Sequence, residues 1–293
     1  MMKFKGVIPA LVSPLCDDET INIPVLHSLV DFLLGKGADG FYVGGETGEG
    51  IALSFEERQI LAEEAVKKTD GKVPCIIQVA SMDFKNAISL AKHAEKIGAS
   101  AISATVPLFF QYDENDIYNY YKALANAVNI PLMAYYSPAA AFNFNAKFAA
   151  RLFEIDNLTS IKWTSSNYYE MMKLKDYTHG EMNILNGPDE MLLMGLSAGA
   201  DGGIGSTYNF MFDTIKEIYD NFILGNMEEA QKAQSKADRI IGVLHQYANI
   251  PTTKLLLEAM GFAVGNPTFP MKRYTKEEKE TIIKNMKEAG LQI

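Results

Sequence analysis

The stretch Leu158-Thr-Ser-Ile-Lys-Trp-Thr164 sets the reading of the whole chain. Its alternation puts Lys162 and Thr164 on the face opposite Ile161 and Trp163, as in a strand with two different surroundings. A lone amine in such a run is a candidate Schiff-base nucleophile. Most strand lysines instead sit at sheet edges with the ammonium in water, so the neighbours of Lys162 have to decide. Upstream, the apolar run Ile130-Pro-Leu-Met-Ala-Tyr-Tyr-Ser-Pro138 ends in tyrosines, and Gly40-Phe-Tyr-Val43 leads into Gly44-Gly-Glu-Thr-Gly-Glu-Gly50. In each case a polar group stands at the end of a strand-like run.

Outward from Lys162, strand-like runs occur at residues 6–14, 40–45, 74–80, 101–107, 131–138, 158–164, 182–187 and 202–207. Amphipathic runs with apolar residues near i, i+3, i+4 and i+7 lie between and after them, at 23–34, 54–68, 84–97, 114–128, 146–153, 167–177, 189–197 and 211–224. Ser54 with Glu57 reads as a capping box, and Asp113 with Asp116 as an acidic first turn. Strand and helix in strict alternation point to parallel βαβ units. Eight such units predict an α/β fold of the closed (β/α)8 TIM-barrel type rather than an open doubly wound sheet. The barrel is predicted over residues 1–225. Helical runs at 227–245, 251–260 and 276–289 have no alternating strand partner, so residues 226–293 read as a C-terminal helical extension packed on the barrel.

The 293 residues are 48% hydrophobic, enough for one large core or two small ones, and length alone does not choose between them. A net charge of −9 argues against a nucleic-acid surface, which needs a basic stripe to neutralise phosphates. No run is long and apolar enough to span a bilayer, and Met1-Met-Lys-Phe-Lys5 lacks a signal-peptide profile, so a cytoplasmic protein with no membrane partner is expected. Cys16 and Cys75 lie far apart, and His27, His93, His179 and His245 form no pair at ligand spacing; no metal site is expected.

In a barrel, catalytic groups gather at the carboxyl ends of the strands. The polar residues at those ends are the 44–50 loop, Tyr135, Lys162, Gly187-Pro-Asp-Glu190 and Gly205-Ser-Thr207. The glycine loop is not a P-loop, because Ile51 stands where the lysine is needed. Its glycines either make a tight turn or let backbone N–H groups and the Thr47 hydroxyl converge on a small carboxylate. Lys162 attacks a ketone only as the free amine, which burial in an apolar interior favours. Tyr135 on the adjacent strand can exchange a proton with an oxygen formed or lost in carbon–carbon cleavage, or simply fill core. Asp189 and Glu190 suit a helix start, and equally suit acceptance of hydrogen bonds from substrate hydroxyls.

Together these residues resemble the pyruvate-dependent class I aldolases of the dihydrodipicolinate synthase and N-acetylneuraminate lyase superfamily. The resemblance runs from Gly6 to the tail and is greatest to the lyase branch. It is carried by Gly-Gly-x-Thr-Gly-Glu at 44–49, Tyr135 with Pro138, Lys162 with Thr164, Asn186-Gly187-x-Asp189-Glu190, and Gly199-Ala-Asp-Gly-Gly-Ile-Gly-Ser-Thr207. The resemblance implies a Schiff base on Lys162 with pyruvate or open-chain sialic acid, and a proton relay through Tyr135. It also implies that Thr47 and its N–H hold the pyruvate carboxylate, and that Thr164, Gly187, Asp189, Glu190 and Ser206 bind the glycerol-like end. The activity implied is cleavage of N-acetylneuraminate to N-acetylmannosamine and pyruvate, by a homotetramer, without metal or dissociable cofactor. The synthase branch fits less well, because its arginine beyond the tyrosine has no counterpart in Ser137-Pro-Ala-Ala-Ala-Phe142.

Two positions depart from the lyase pattern. Glu46 stands where a serine or threonine is usual, and a carboxylate pointing inward there would repel that of pyruvate. Leu108-Phe-Phe110 lacks the tyrosine that completes a relay across subunits, with Tyr112 nearby as a substitute. These departures leave open a relay through Glu46 and Tyr135, action on another 2-keto-3-deoxy sugar acid, and a barrel that binds its ligand with weak turnover.

Overall fold

The computed structural model describes residues 3–107, 110–137 and 144–293. The readings placed on Leu108, Phe109 and residues 138–142 lie outside these. Eight parallel strands form the sheet: β1 (Gly6–Pro9), β2 (Phe41–Val43), β3 (Cys75–Gln78), β4 (Ala101–Thr105), β5 (Leu132–Tyr136), β6 (Leu158–Trp163), β7 (Asn183–Asn186) and β8 (Gly202–Gly205). From β2 to β8 each strand pairs with the next in sequence, and β8 pairs with β1. The last seam is closed by a bridge between Ala10 and Tyr42, with the Leu11 N–H donating to the Tyr42 carbonyl at 2.9 Å. The predicted barrel is therefore the observed fold.

Around the strands lie α1 (Ile23–Gly35), α2 (Phe55–Thr69), α3 (Phe84–Lys96), α4 (Glu114–Ala125), α5 (Ala146–Leu152), α6 (Tyr168–Tyr177), α7 (Leu192–Ser197) and α8 (Phe212–Ile223). The helical extension contains α9 (Met227–Leu244), α10 (Asn249–Ala259) and α11 (Lys276–Glu288), with α9 packed on α7 and α8.

Three local expectations change. The first strand ends at Pro9 rather than near residue 14, because the chain beyond it finds partners outside the ladder. Val12 N–H donates to Asn209 Oδ1 at 3.2 Å and Leu15 N–H to the Val264 carbonyl at 2.9 Å. The box at Ser54 is half made: Ser54 accepts from the Glu57 N–H, while the Glu57 carboxylate takes the Ile21 N–H at 2.6 Å. The reciprocal box forms instead at Asp113 and Asp116. The run at 189–197 splits into a 3-10 turn, Asp189–Met191, followed by α7.

Strand alternation separates two apolar regions. Outward residues such as Val7, Phe41, Ile102, Ile161 and Trp163 join the core beneath the helices, whereas Ile8, Tyr42, Ile76, Met133, Tyr135, Leu185 and Ile204 fill the barrel interior. Trp163 is fully buried, 4.8 Å from the Tyr136 ring centroid. Burying a large side chain contributes roughly 2–3 kcal/mol, and a one-residue slip of β6 would exchange the Trp163 and Lys162 environments. The aromatic packing outside the barrel thereby fixes the amine inside it.

Candidate active site

Because all the strands are parallel, their carboxyl ends share one rim, and the loops after β2, β6, β7 and β8 converge there. They surround a cavity of about 370 Å³. Every site residue singled out from sequence lines it: Lys162, Tyr135, Glu46, Thr47, Thr164, Gly187, Asp189, Glu190 and Ser206.

Lys162 is 7% exposed and Tyr135 is 4% exposed. They are register partners on β6 and β5, and the Lys162 Nζ lies 4.4 Å from the Tyr135 ring centroid. Among the described residues, no carboxylate forms an ion pair with this amine. An amine held against aromatic faces in a closed interior has the surroundings that nucleophilic attack on a carbonyl requires.

The loop after β2 is shaped by close packing. Gly44 has φ +69°, and a Cβ at Gly50 would collide with the Gly44 carbonyl, so both positions demand glycine. Ser13 Oγ donates to the Gly48 carbonyl at 2.6 Å. Among the described residues, the N–H groups of Thr47 and Gly48 donate to no protein acceptor. They are available, with the Thr47 hydroxyl, to a carboxylate. Glu49 anchors the far end of the loop: its carboxylate pairs with Lys254 at 2.6 Å and accepts the Thr268 N–H at 2.6 Å. Both charged side chains of that pair are buried, at 0% and 2% exposure. Burial lowers the Lys254 pKa against the opposing pull of Glu49.

The loop after β7 is held by side chains rather than by regular structure. Asp189 Oδ2 accepts from the Thr207 N–H and hydroxyl at 2.9 and 2.7 Å. Gln234 on α9 accepts the Leu193 N–H at 2.9 Å and donates to the Asp189 carbonyl at 3.2 Å. The Tyr168 hydroxyl donates to Asn186 Oδ1 at 2.9 Å, and Asn186 Nδ2 donates to the Pro188 carbonyl at 2.7 Å. Burial pushes the Asp189 carboxyl up to about 6, although Thr207 and Lys162 pull the other way. Asp189 Oδ1 and Thr164 Oγ1 are buried without a protein hydrogen-bond partner. A Cβ at Gly205 would strike the former, and a Cβ at Gly187 the latter. Gly187 is thus explained by close packing, while the two oxygens beside the glycines remain as acceptors.

This architecture agrees with the relationships of the chain. The model of the dihydrodipicolinate synthetase family matches residues 3–289. The chain belongs to that family. It is 33% identical over 288 residues to an N-acetylneuraminate lyase of Rhizobium meliloti, covering 98% of this chain and 95% of the relative. It is 30% identical over 289 residues to a 4-hydroxy-tetrahydrodipicolinate synthase of Desulforudis audaxviator, covering 98% of each. The structure of Proteus mirabilis N-acetylneuraminate lyase superposes with a TM-score of 0.94 at 30% identity, covering 99% of this chain and 100% of that one.

The structure adds detail on two residues read from sequence, Glu46 and Tyr112, and brings in others that were not. Glu46 is exposed where it lines the cavity, and among the described residues no hydrogen bond links it to Tyr135. Tyr112 packs against the outer core and does not line the cavity. Ser165 and Ser166 line it, as do Ile241, Leu244, His245 and Asn249 of the helical extension. The extension residues carried no local signal, since their only functional mark is spatial. Tyr42 was hidden in an apolar run, although its alternation with Phe41 and Val43 would have aimed it inward.

Proposed function

We propose that this chain is a class I aldolase that cleaves N-acetylneuraminate to N-acetylmannosamine and pyruvate. The observation that carries the reading is the Lys162 amine, sheltered in the barrel beside the Tyr135 phenol and opening onto a polar cavity. The N-acetylneuraminate lyases among its relatives support the choice of substrate.

In this reading the Lys162 amine adds to the C2 ketone of the open-chain substrate. The carbinolamine expels hydroxide, which takes the Tyr135 proton and leaves as water, giving an iminium and a phenolate. The phenolate then removes the C4 hydroxyl proton while the C3–C4 bonding pair moves into the iminium. This releases the aldehyde and leaves an enamine. Tyr135 returns its proton to C3, and water hydrolyses the resulting iminium to pyruvate and the free amine, the proton set free restoring the Tyr135 phenol. Thr47 with the N–H groups of its loop holds the carboxylate, while Thr164, Asp189, Glu190 and Ser206 receive the polyol end. The chemistry uses the chain's own amine and needs no added cofactor.

The test is reduction with borohydride in the presence of pyruvate, read by mass, alongside coupled pyruvate release from a panel of sugar acids. The reading requires an adduct on Lys162 and release from N-acetylneuraminate, both lost in Lys162→Ala. Retained turnover in Lys162→Ala would refute it. Glu46 favours a second reading, in which another 2-keto-3-deoxy sugar acid is the substrate. An adduct with release from that acid alone would select it.

A homotetramer is part of the same proposal. Two separate sets of exposed apolar side chains support it, Ile51, Met82 and Phe84 near α2 and α3, and Tyr169 and Met172 on α6. Light scattering on the purified protein measures the subunit number. Among the described residues, no helix is long and apolar enough to cross a membrane.

A further inference from the structure

We propose that Tyr42 is a positioning residue for the reactive amine, its ring face stabilising the cationic iminium formed on Lys162. The inference rests on the Schiff-base reading above. It starts from a residue to which that reaction assigns no part.

Tyr42 is 1% exposed and lies in the barrel interior. Its hydroxyl is engaged within the barrel: it donates to Ser103 Oγ at 3.0 Å, and Ser103 Oγ donates to the Met133 carbonyl at 3.0 Å. This chain of bonds links β2, β4 and β5 through the barrel interior. Burial raises the phenol's pKa, so the hydroxyl stays protonated at neutral pH and keeps donating to Ser103. The ring itself faces the amine. Lys162 Nζ lies 4.9 Å from the Tyr42 centroid and 4.4 Å from that of Tyr135. The two rings stand edge to face, 6.1 Å apart at 82°. The nitrogen therefore sits in an aromatic corner with Tyr42 as one wall.

Such a corner suits a nitrogen whose positive charge must be delocalised toward carbon. A carboxylate at ion-pair distance would hold the resting lysine as an ammonium and would localise the iminium charge on nitrogen. An aromatic face attracts the cation through its quadrupole without accepting a proton. The Asp189 carboxyl interacts electrostatically with Lys162 and is itself bonded to Thr207. The ring of Tyr42 then stabilises the iminium on Lys162 without accepting a proton from it.

The test is Tyr42→Phe together with its 4-fluoro, 3,5-difluoro and 3,4,5-trifluoro analogues at the same position. Successive fluorines drain the ring quadrupole with little change in shape. The readout is the fraction of protein reduced to the pyruvate adduct by borohydride at a fixed subsaturating pyruvate concentration. Tyr42→Phe should keep trapping within about threefold of the parent. The apparent affinity for pyruvate should then fall stepwise with fluorination, about tenfold over the series. A flat series with a normal adduct in the parent protein would overturn the inference and leave the Schiff base standing. So would a full loss on Tyr42→Phe alone, which would assign the effect to the hydroxyl. No adduct in the parent protein would remove the underlying reading, and the inference with it.

Discussion

Replacing Lys254 with methionine leaves the Glu49 carboxylate buried without its cation. The two side chains meet at 2.6 Å with 2% and 0% exposure, so solvent cannot take over the role of the lysine. The carboxylate keeps the Thr268 N–H at 2.6 Å, and the Asn266 carbonyl loses the 3.0 Å bond that it accepts from Lys254 Nζ. Breaking a buried ion pair from one side costs about 3–5 kcal/mol, because the remaining charge is uncompensated. The residual bond to Thr268 places the expected loss nearer about 3 kcal/mol than 5. The assay is equilibrium urea unfolding at fixed protein concentration, compared with the double variant Glu49→Gln/Lys254→Met. The double variant should recover at least half of the loss, since it removes both charges. A second readout follows from position. Glu49 stands two residues after Thr47 in the loop that faces the cavity, so Lys254→Met should also weaken pyruvate trapping. A loss below about 1 kcal/mol, or a double variant no better than the single, would refute the argument that this pair fixes the loop.

Gln234→Leu removes the clamp on the loop after β7, and should raise KM for the sugar acid about tenfold with a smaller change in kcat. Equal KM values would show that Thr207 and Asn186 hold the loop unaided. Gly205→Ala drives a Cβ into Asp189 Oδ1; steady-state kinetics should show lost sugar-acid affinity while borohydride still traps pyruvate on Lys162. With the Asp189 carboxyl pushed up to about 6, the carboxylate predominates above that pH and is protonated below it. A role as hydrogen-bond acceptor then predicts that kcat/KM for the sugar acid falls as pH drops through about 6. Asp189→Asn should remove that acid limb, and an unchanged profile would exclude Asp189 from it.

The sequence alone carried most of the fold, because a barrel is built from local repeats. Strand alternation, amphipathic spacing and eight units in succession are each readable within a short window. It also carried the candidate lysine, since a single charged residue within the Leu158–Trp163 strand is conspicuous. What the tertiary structure decided is what depends on distant residues meeting. Glu49 and Lys254 are ordinary surface-type charges in sequence, and only folding buries them against each other. Gln234 belongs to an amphipathic helix whose pattern says nothing of the Asp189 carbonyl it reaches. Tyr42 reads as core until the closing barrel sets its face beside Lys162. Periodicity reports which side of an element is buried, whereas chemistry depends on which atoms of other elements are buried with it. That second fact exists only once the chain has closed on itself.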